Sequence, residues 1–373
     1  MTITETPKVK ISRANSSMLR IGNGTQIPIF IGVTGNSTAA TGILQFKKFS
    51  EADRTIAAGG IGTDESNQLR GVLKDFFEES LKINADDIGV PYVYAKDMGT
   101  GSTSSATAWV NAVKDAKSKR TVQVEAYVFQ KVEGTTPAQI VSIMESVAAA
   151  IDIDATKGNP RIAYFTVLGY TDDELRALTK TGEGSLINHS GVGLITPEKF
   201  GKHLARICCT PYYDKPGYYA FRSIGPEEFT ERTDENEENL QAAGVIFGHD
   251  EKPGSQIYPK INLACSTAWA IDLEDRPKDA LLHVRRNVDQ LIREAVETVY
   301  PQLKRRQTQS FLSMTQADLD VLVNSKIKEG YMKEGTQLVL REVEDDKLAV
   351  DVYAYPIKAT GLITMTVYID EDN

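Results

Sequence analysis

Over residues 27–207 the chain alternates apolar runs with amphipathic ones, and that alternation limits its fold more than any other feature. The apolar runs are IPIFIGV (27–33), IGVPYVYAK (88–96), TVQVEAYVF (121–129) and RIAYFTVLGY (161–170). The last is rich enough in apolar residues to be buried on both faces, as strands of a parallel sheet are. Between the runs, Leu69, Val72, Leu73, Phe76, Phe77 and Leu81 make one helical stripe, and a second helix is expected over residues 106–117. Ile140, Val141, Met144, Val147 and Ile151 line a third, opened by Thr136, Pro137 and Gln139 as a capping box with proline at the first helical position. Thr171 with Glu174 forms another capping box, and Thr196 with Pro197 predicts a helix from there to about residue 207. Parallel strands need crossovers of about a dozen residues or more, and helices at this spacing supply them. The expected class is α/β, with a helix-covered, largely parallel mixed sheet.

Beyond residue 208 the pattern changes. PEEFTERTDENEENL carries seven acidic residues between 227 and 238 and one basic residue, the composition of an exposed loop or a hydrophilic helix face. A long helix is expected over 278–299, where Ala280, Leu281, Val284, Val288, Leu291, Ile292, Ala295, Val296 and Val299 keep one stripe between Pro277 and Pro301. A second is expected from Thr315 to Gly330, burying Leu319, Leu322, Val323 and Ile327. QLVLREV (337–343) and KLAVDVYAYPI (347–357) then read as strands. The organisation expected is an arm over 1–18, an α/β outer domain over 19–257, a carboxy-terminal α+β domain over 258–358 and a terminal arm strand over 359–373.

Charge and composition exclude several functions. A net charge of -9 argues against nucleic acid as a partner, because phosphate binding needs concentrated Lys and Arg. No run approaches about 18 apolar residues, and the first 15 residues lack the apolar heart of a signal peptide, so neither a membrane span nor signal-directed export is expected. Cys208, Cys209 and Cys265 offer neither a disulfide framework nor zinc spacing. His189, His203, His249 and His283 show no metal-binding pairing; GEGSLINHSGVG (182–193) fits no nucleotide loop, and Ser37 and Ser190 no nucleophile elbow. Catalytic, cofactor-binding and metal-binding residues are therefore expected to be none.

The two ends are more informative. In GLITMTVYID (361–370), Ile363, Met365, Val367 and Ile369 share one face of an extended strand, with Thr364, Thr366, Tyr368 and Asp370 on the other. At the opposite end, Val9 and Ile11 alternate with Lys8, Lys10 and Ser12, with Arg13 adding a further positive charge. A basic arm and an acidic arm attract head to tail and repel like with like. From these residues alone two arrangements stand. The arms pair within their own molecule, or they add to the sheet edges of other copies.

The order of features resembles the tail sheath proteins of contractile phage tails, a family that includes R-type bacteriocin sheaths and is related to type VI secretion sheaths. IPIFIGVTGNSTAATGILQFKKFSEADRTIAAGG is similar to the family's opening strand and the block before its first helix, and SNQLRGVLKDFFEESLKINADDIGVPYVYAK to the helix and strand that follow. HVRRNVDQLIREAV, with Arg285 and Arg286, resembles the double-arginine helix of the sheath domain, and YMKEGTQLVLREVEDDKLAVDVYAYPIKATGLITMTVYI its closing strands. CSTAWAIDLEDRP departs from the glycine-rich WGxRT-like segment, keeping only Trp269.

The resemblance implies a structural subunit, not an enzyme. Such subunits stack in hexameric rings around an inner tail tube between baseplate and terminator proteins, and contract to drive the tube through a cell envelope. No nucleic acid and no membrane insertion are implied; assembly is in the host cytoplasm and the final location is the virion tail. It further implies that the arms cross between subunits. Gly22, Gly24 and Gly361 are the implied hinges, and Asp318, Asp320, Lys326 and Lys328 on the 315–330 helix the implied tube contacts. An α/β enzyme or small-molecule-binding protein with an unrecognised pocket is the alternative reading, and a tube or baseplate component a third.

Overall fold

The computed structural model describes residues 26–34, 42–57, 67–83, 92–99, 106–117, 119, 121–131, 136–179, 191–212, 232–252, 256–259, 282–302, 308–344 and 347–357. Its centre is a seven-stranded sheet built from β1 (Ile27–Gly32), β2 (Ile43–Phe46), β3 (Val93–Asp97), β4 (Val122–Gln130), β5 (Ile162–Leu168), β6 (Val192–Ile195) and β7 (Val245–Ile246), in the order β2-β3-β1-β4-β5-β6-β7. All neighbours are parallel except β2, which runs antiparallel to β3 at one edge. The sheet is thus mixed and mostly parallel.

Seven helices lie between these strands: α1 (Phe49–Ala57), α2 (Gln68–Ile83), α3 (Ala106–Lys117), α4 (Pro137–Ala155), α5 (Asp172–Thr179), α6 (Phe200–Cys209) and α7 (Asp234–Ala242). They cover both faces. Tyr127 and Phe129 of β4 and Phe165 of β5 turn toward Trp109 of α3 and toward Ile140, Met144 and Val147 of α4. Val124, Ala126 and Val128 turn the other way, toward Leu69, Leu73 and Phe76 of α2 and Leu204 of α6. This double burial is why β4 and β5 are apolar at nearly every position.

Two charges interrupt that apolar wall. Glu125 on β4 and Arg161, just before β5, are both essentially without solvent contact, and Arg161 Nη1 donates to Glu125 Oε1 at 2.9 Å. The Tyr127 hydroxyl donates to Glu125 Oε2 at 2.7 Å, and burial with the neighbouring carboxylate pushes the Tyr127 pKa well up. Paired and hydrogen-bonded in this way, the carboxylate is tolerated in the core.

The remainder comprises a hairpin of β8 (Gly248–Lys252) and β9 (Gln256–Pro259), the helices α8 (Leu282–Val299) and α9 (Gln309–Lys328), and a hairpin of β10 (Gln337–Glu344) and β11 (Lys347–Tyr353). Leu291 and Ala295 of α8, Leu319 and Val323 of α9, Met332 and Leu338 share a third, smaller core, with Val350 and Val352 packed against it.

Both predicted capping boxes are present. Thr136 and Gln139 satisfy each other's backbone N–H groups, as do Thr171 and Glu174. Two helix starts differ from expectation. α6 begins at Phe200, not at Thr196, because the Thr196 N–H donates to Ile246 O across the β6–β7 edge and Lys199, at φ 52°, makes the turn. α9 begins at Gln309, where Thr308 Oγ1 accepts from the Phe311 N–H. Over its first six residues Gln309, Ser310, Ser313 and Met314 are exposed and Phe311 and Leu312 only half-buried, so no full apolar stripe announces it.

Candidate assembly surfaces

Helix α8 joins the sheet body to the third core through its arginines. Arg286 is fully buried; its Nε donates to Gln26 Oε1 at 2.8 Å and its Nη2 to the Thr210 carbonyl at 2.5 Å. Gln26 also donates its backbone N–H to Cys208 O at 2.8 Å. The residue that enters β1 from the amino-terminal side is therefore held by α6 and α8 together. Two turns later Arg293 reaches the turn between α4 and β5, donating to Asn159 Oδ1 at 3.2 Å and to the Pro160 carbonyl. Gly158 in that turn has φ +75°, and a Cβ there would lie 2.3 Å from Val296 Cγ2 of α8. Arg285 pairs along the helix with Asp289 at 3.0 Å.

Helix α9 carries the four residues expected to face a partner. Asp318, Asp320 and Lys328 are exposed. Lys326 is not: it lies on the same side of the helix as Leu319, with its side chain 13% exposed, and its Nζ meets Glu294 Oε2 at 2.9 Å and Tyr212 OH at 3.3 Å. Its placement over the rings of Tyr212 and Tyr331 adds cation–π attraction. Burial alone would depress the Lys326 pKa, but the hydrogen bond and charge of Glu294 outweigh it and the net shift is upward. Burial raises the Tyr212 pKa to about 12. Lys326 is thus a bridge between α8, α9 and the end of α6, and the expectation of an outward-facing lysine there is corrected. The sequence signal was available, since residues 319, 323 and 326 recur at helical spacing.

The outward face of α9 also differs from the polar surface expected. Met314 and Val321 are 58% and 69% exposed, spaced to share one stripe, with Asp318 and Asp320 on its two sides. A shallow groove of about 520 Å3 runs between α9 and β10, lined by Gln309, Leu312, Ser313, Gln316, Asp320 and Leu340 among others.

The β10–β11 hairpin lies close to the last described residues. Gln337 pairs with Tyr353, Val339 with Asp351 and Arg341 with Ala349. The outward face shows Val339 and Tyr353, with Arg341 bridging Asp351 at 3.0 Å. Past Tyr353 the backbone continues against residues 331–333 through the bridge of Met332 and Pro356.

The expected arm residues Lys8, Val9, Lys10, Ile11, Arg13, Ile363, Met365, Val367, Ile369 and Asp370, and the hinge glycines Gly22, Gly24 and Gly361, lie outside the described residues. So do the side chains of His189, His249 and His283. His203 is buried in α6, and burial, reinforced by Arg232 and Arg206, pulls its pKa down to about 3. Arg232, the lone basic residue of the acidic segment, is a structural tie whose side chain bonds Asp172 at 2.8 Å and Glu198 at 2.5 Å. Among the described residues no three His, Cys, Asp or Glu side chains converge as metal ligands would.

No family model and no curated protein sequence matches this chain. Solved structures do. A chain of the anti-feeding prophage (AFP) helical sheath in contracted state is 11% identical, with a TM-score of 0.61 over 99% of this chain and 100% of that one. A chain of the PVC sheath complex of an extracellular contractile injection system, also contracted, is 12% identical, with a TM-score of 0.63 over 100% and 99%. A chain of the AFP baseplate gives 12% and 0.63 over 99% and 100%. At such identity the likeness is one of fold, and it spans the whole chain rather than the common α/β sheet alone. Over nearly its whole length the chain shares the fold of chains from sheath and baseplate complexes of contractile injection systems.

Proposed function

We propose that this protein is the structural subunit of a contractile sheath, polymerising around an inner tube and contracting to drive that tube through a cell envelope. The observation that carries the reading is the end-to-end match in fold to chains of two contracted sheath complexes. In this reading the subunit performs no covalent chemistry. Work comes from interface energy stored on assembly and released as subunits rotate into tighter packing. The terminal segments 1–18 and 359–373 cross to neighbouring copies in the stacked rings, turning on Gly22, Gly24 and Gly361. Each added strand contributes about 0.5–1.5 kcal/mol per hydrogen bond, so one joint is weak and the mesh is strong. Asp318, Asp320 and Lys328, bracketing Met314 and Val321, form the tube-facing surface, where screened charges and a small apolar stripe permit release. Baseplate and terminator proteins are the partners at the two ends.

Electron microscopy of the purified full chain tests this. Long hollow cylinders are expected, and removal of residues 362–373 is expected to abolish them. Truncated protein that still forms cylinders would count against arm exchange. A full chain that stays monomeric and saturates with a small metabolite would instead favour the enzyme or binding-protein reading.

A further inference from the structure

Residues 1–25 precede Gln26 in the chain, so any tension carried by that segment enters the described fold at Gln26 and passes next into β1. β1 is suited to receive it. It lies inside the sheet, with β3 and β4 parallel to it on its two sides. A pull along β1 toward its amino end therefore sets the hydrogen bonds of both ladders in shear, and they must yield together instead of one by one. The side chains oppose the same movement. Ile27, Ile29 and Ile31 belong to the core on one face and Phe30 to the core on the other, so a slip of one residue would exchange the two sets.

Further ties hold both ends of the strand to the layer formed by α2 and α6. At the amino end the Gln26 N–H donates to Cys208 O of α6 at 2.8 Å, and at the carboxyl end the Leu69 N–H of α2 donates to Val33 O at 3.1 Å. The two helices are themselves locked together. A Cβ at Gly201 of α6 would overlap the Val72 carbonyl of α2, and the buried side chains of Arg206 and Glu79 meet at 2.7 Å. The Gln26 side chain adds a tie in a different direction. Its Oε1 accepts from Arg286 Nε of α8, while Arg286 Nη2 donates to the Thr210 carbonyl just beyond α6. Backbone and side chain of this one buried residue thus join β1 to α6 and to α8.

We propose that Gln26 is the anchor at which tension on the amino-terminal segment is borne, and that Arg286 divides that tension between α6 and α8. The source of the tension, neighbouring copies that hold the segment, rests on the sheath reading. A displacement of the segment is then resisted at α8, and a displacement of α8 is felt at the root of the segment, through a single guanidinium.

Optical-tweezers measurements on the isolated full chain test this in two pulling geometries. Handles at the amino terminus and at exposed Glu145 of α4 load β1 through Gln26, whereas handles at Glu145 and at exposed Asp173 of α5 leave Gln26 outside the direct path. Gln26→Ala removes one hydrogen bond to a charged donor, so unfolding at constant force is expected to speed about tenfold in the first geometry and less than about twofold in the second. Gln26→Glu keeps an acceptor for Arg286 and is expected to behave as the parent chain. Arg286→Met is expected to speed the first geometry by about tenfold or more, and adding Gln26→Ala to it to change nothing further. Equal acceleration in the two geometries overturns the proposal, since a contact that only stabilises the fold acts whatever the direction of the pull. An unchanged rate in the first geometry overturns it as well. Multiplying effects in the double variant overturn the part given to Arg286. None of these measurements requires polymerisation, so a chain that forms no cylinders refutes the sheath reading while the anchor is decided separately by force.

Discussion

Replacing Gly158 by alanine tests whether α8 is seated against the sheet body as described. Two penalties combine at this position. The residue sits at φ +75°, where a Cβ costs about 1–2 kcal/mol of backbone strain. That Cβ would also fall 2.3 Å from Val296 Cγ2, and overpacking of this kind adds about 1–3 kcal/mol because a β-branched side chain has few rotamers to retreat into. Gly330, which follows the Glu329 cap of α9, provides the calibration. Its φ is +78° and nothing lies within 4 Å of the built Cβ, so Gly330→Ala carries the strain alone. Equilibrium urea unfolding, at a concentration where the chain is monomeric, is expected to place Gly158→Ala about 1–3 kcal/mol below Gly330→Ala with an unchanged m-value. Adding Val296→Ala should remove the excess, giving a favourable coupling energy of similar size. If the two glycine variants are equally stable, or the double variant is merely additive, α8 does not rest on the α4–β5 turn and the account of the junction is wrong.

The other predictions concern charges inside the fold. Arg286→Met keeps most of the volume but leaves the Gln26 amide oxygen and the Thr210 carbonyl without their donor; a loss of about 2–4 kcal/mol in the same urea assay is expected, and a loss under about 1 kcal/mol would show the clamp to be incidental. His203 has a folded-state pKa of about 3 against the usual 6.5, so the unfolded chain binds its proton first as pH falls. Its contribution is complete above about pH 6.5 and declines at about 1.4 kcal/mol per pH unit down to about pH 3, a slope that His203→Gln should abolish in stability measured against pH. Lys326→Met is expected to destabilise by about 1–3 kcal/mol by stranding Glu294 at the α8–α9 contact, whereas Lys328→Ala should stay within about 0.5 kcal/mol of the parent. Equal effects of the two lysine substitutions would place Lys326 back on the surface.

Much of the central sheet was legible because its strands and helices carry period-specific apolar patterns over a turn or more. The expected helix at 106–117 and the two capping boxes have the expected residues, since hydroxyl and amide caps act over three positions and need no tertiary partner. The short β2 left little trace: at a sheet edge it buries only Phe46 of its four residues. The starts of α6 and α9 were hidden for different reasons, one because Thr196 serves a strand edge, the other because four of the first six residues of α9 are exposed. The charge of Lys326 suggests an outward position, but its helical spacing from buried Leu319 and Val323 puts it on the core side. Gln316, whose Nε2 donates to Leu338 O and whose Oε1 accepts from the Leu340 N–H of β10, both at 2.8 Å, has no counterpart in any sequence pattern. A lone glutamine on an amphipathic helix carries no signal, and its meaning comes only from the strand that folding brings beside it.

The Glu125–Arg161 pair ties two neighbouring strands of the central sheet to one another during folding. A nascent chain that has laid down β4 before the residues leading to β5 carries a carboxylate against an apolar wall with no guanidinium to meet it, a state higher by about 3–5 kcal/mol than the completed pair. The pair therefore couples the burial of β4 to that of β5, and the amides of the two strands are expected to gain protection together in pulse-labelled hydrogen exchange during refolding.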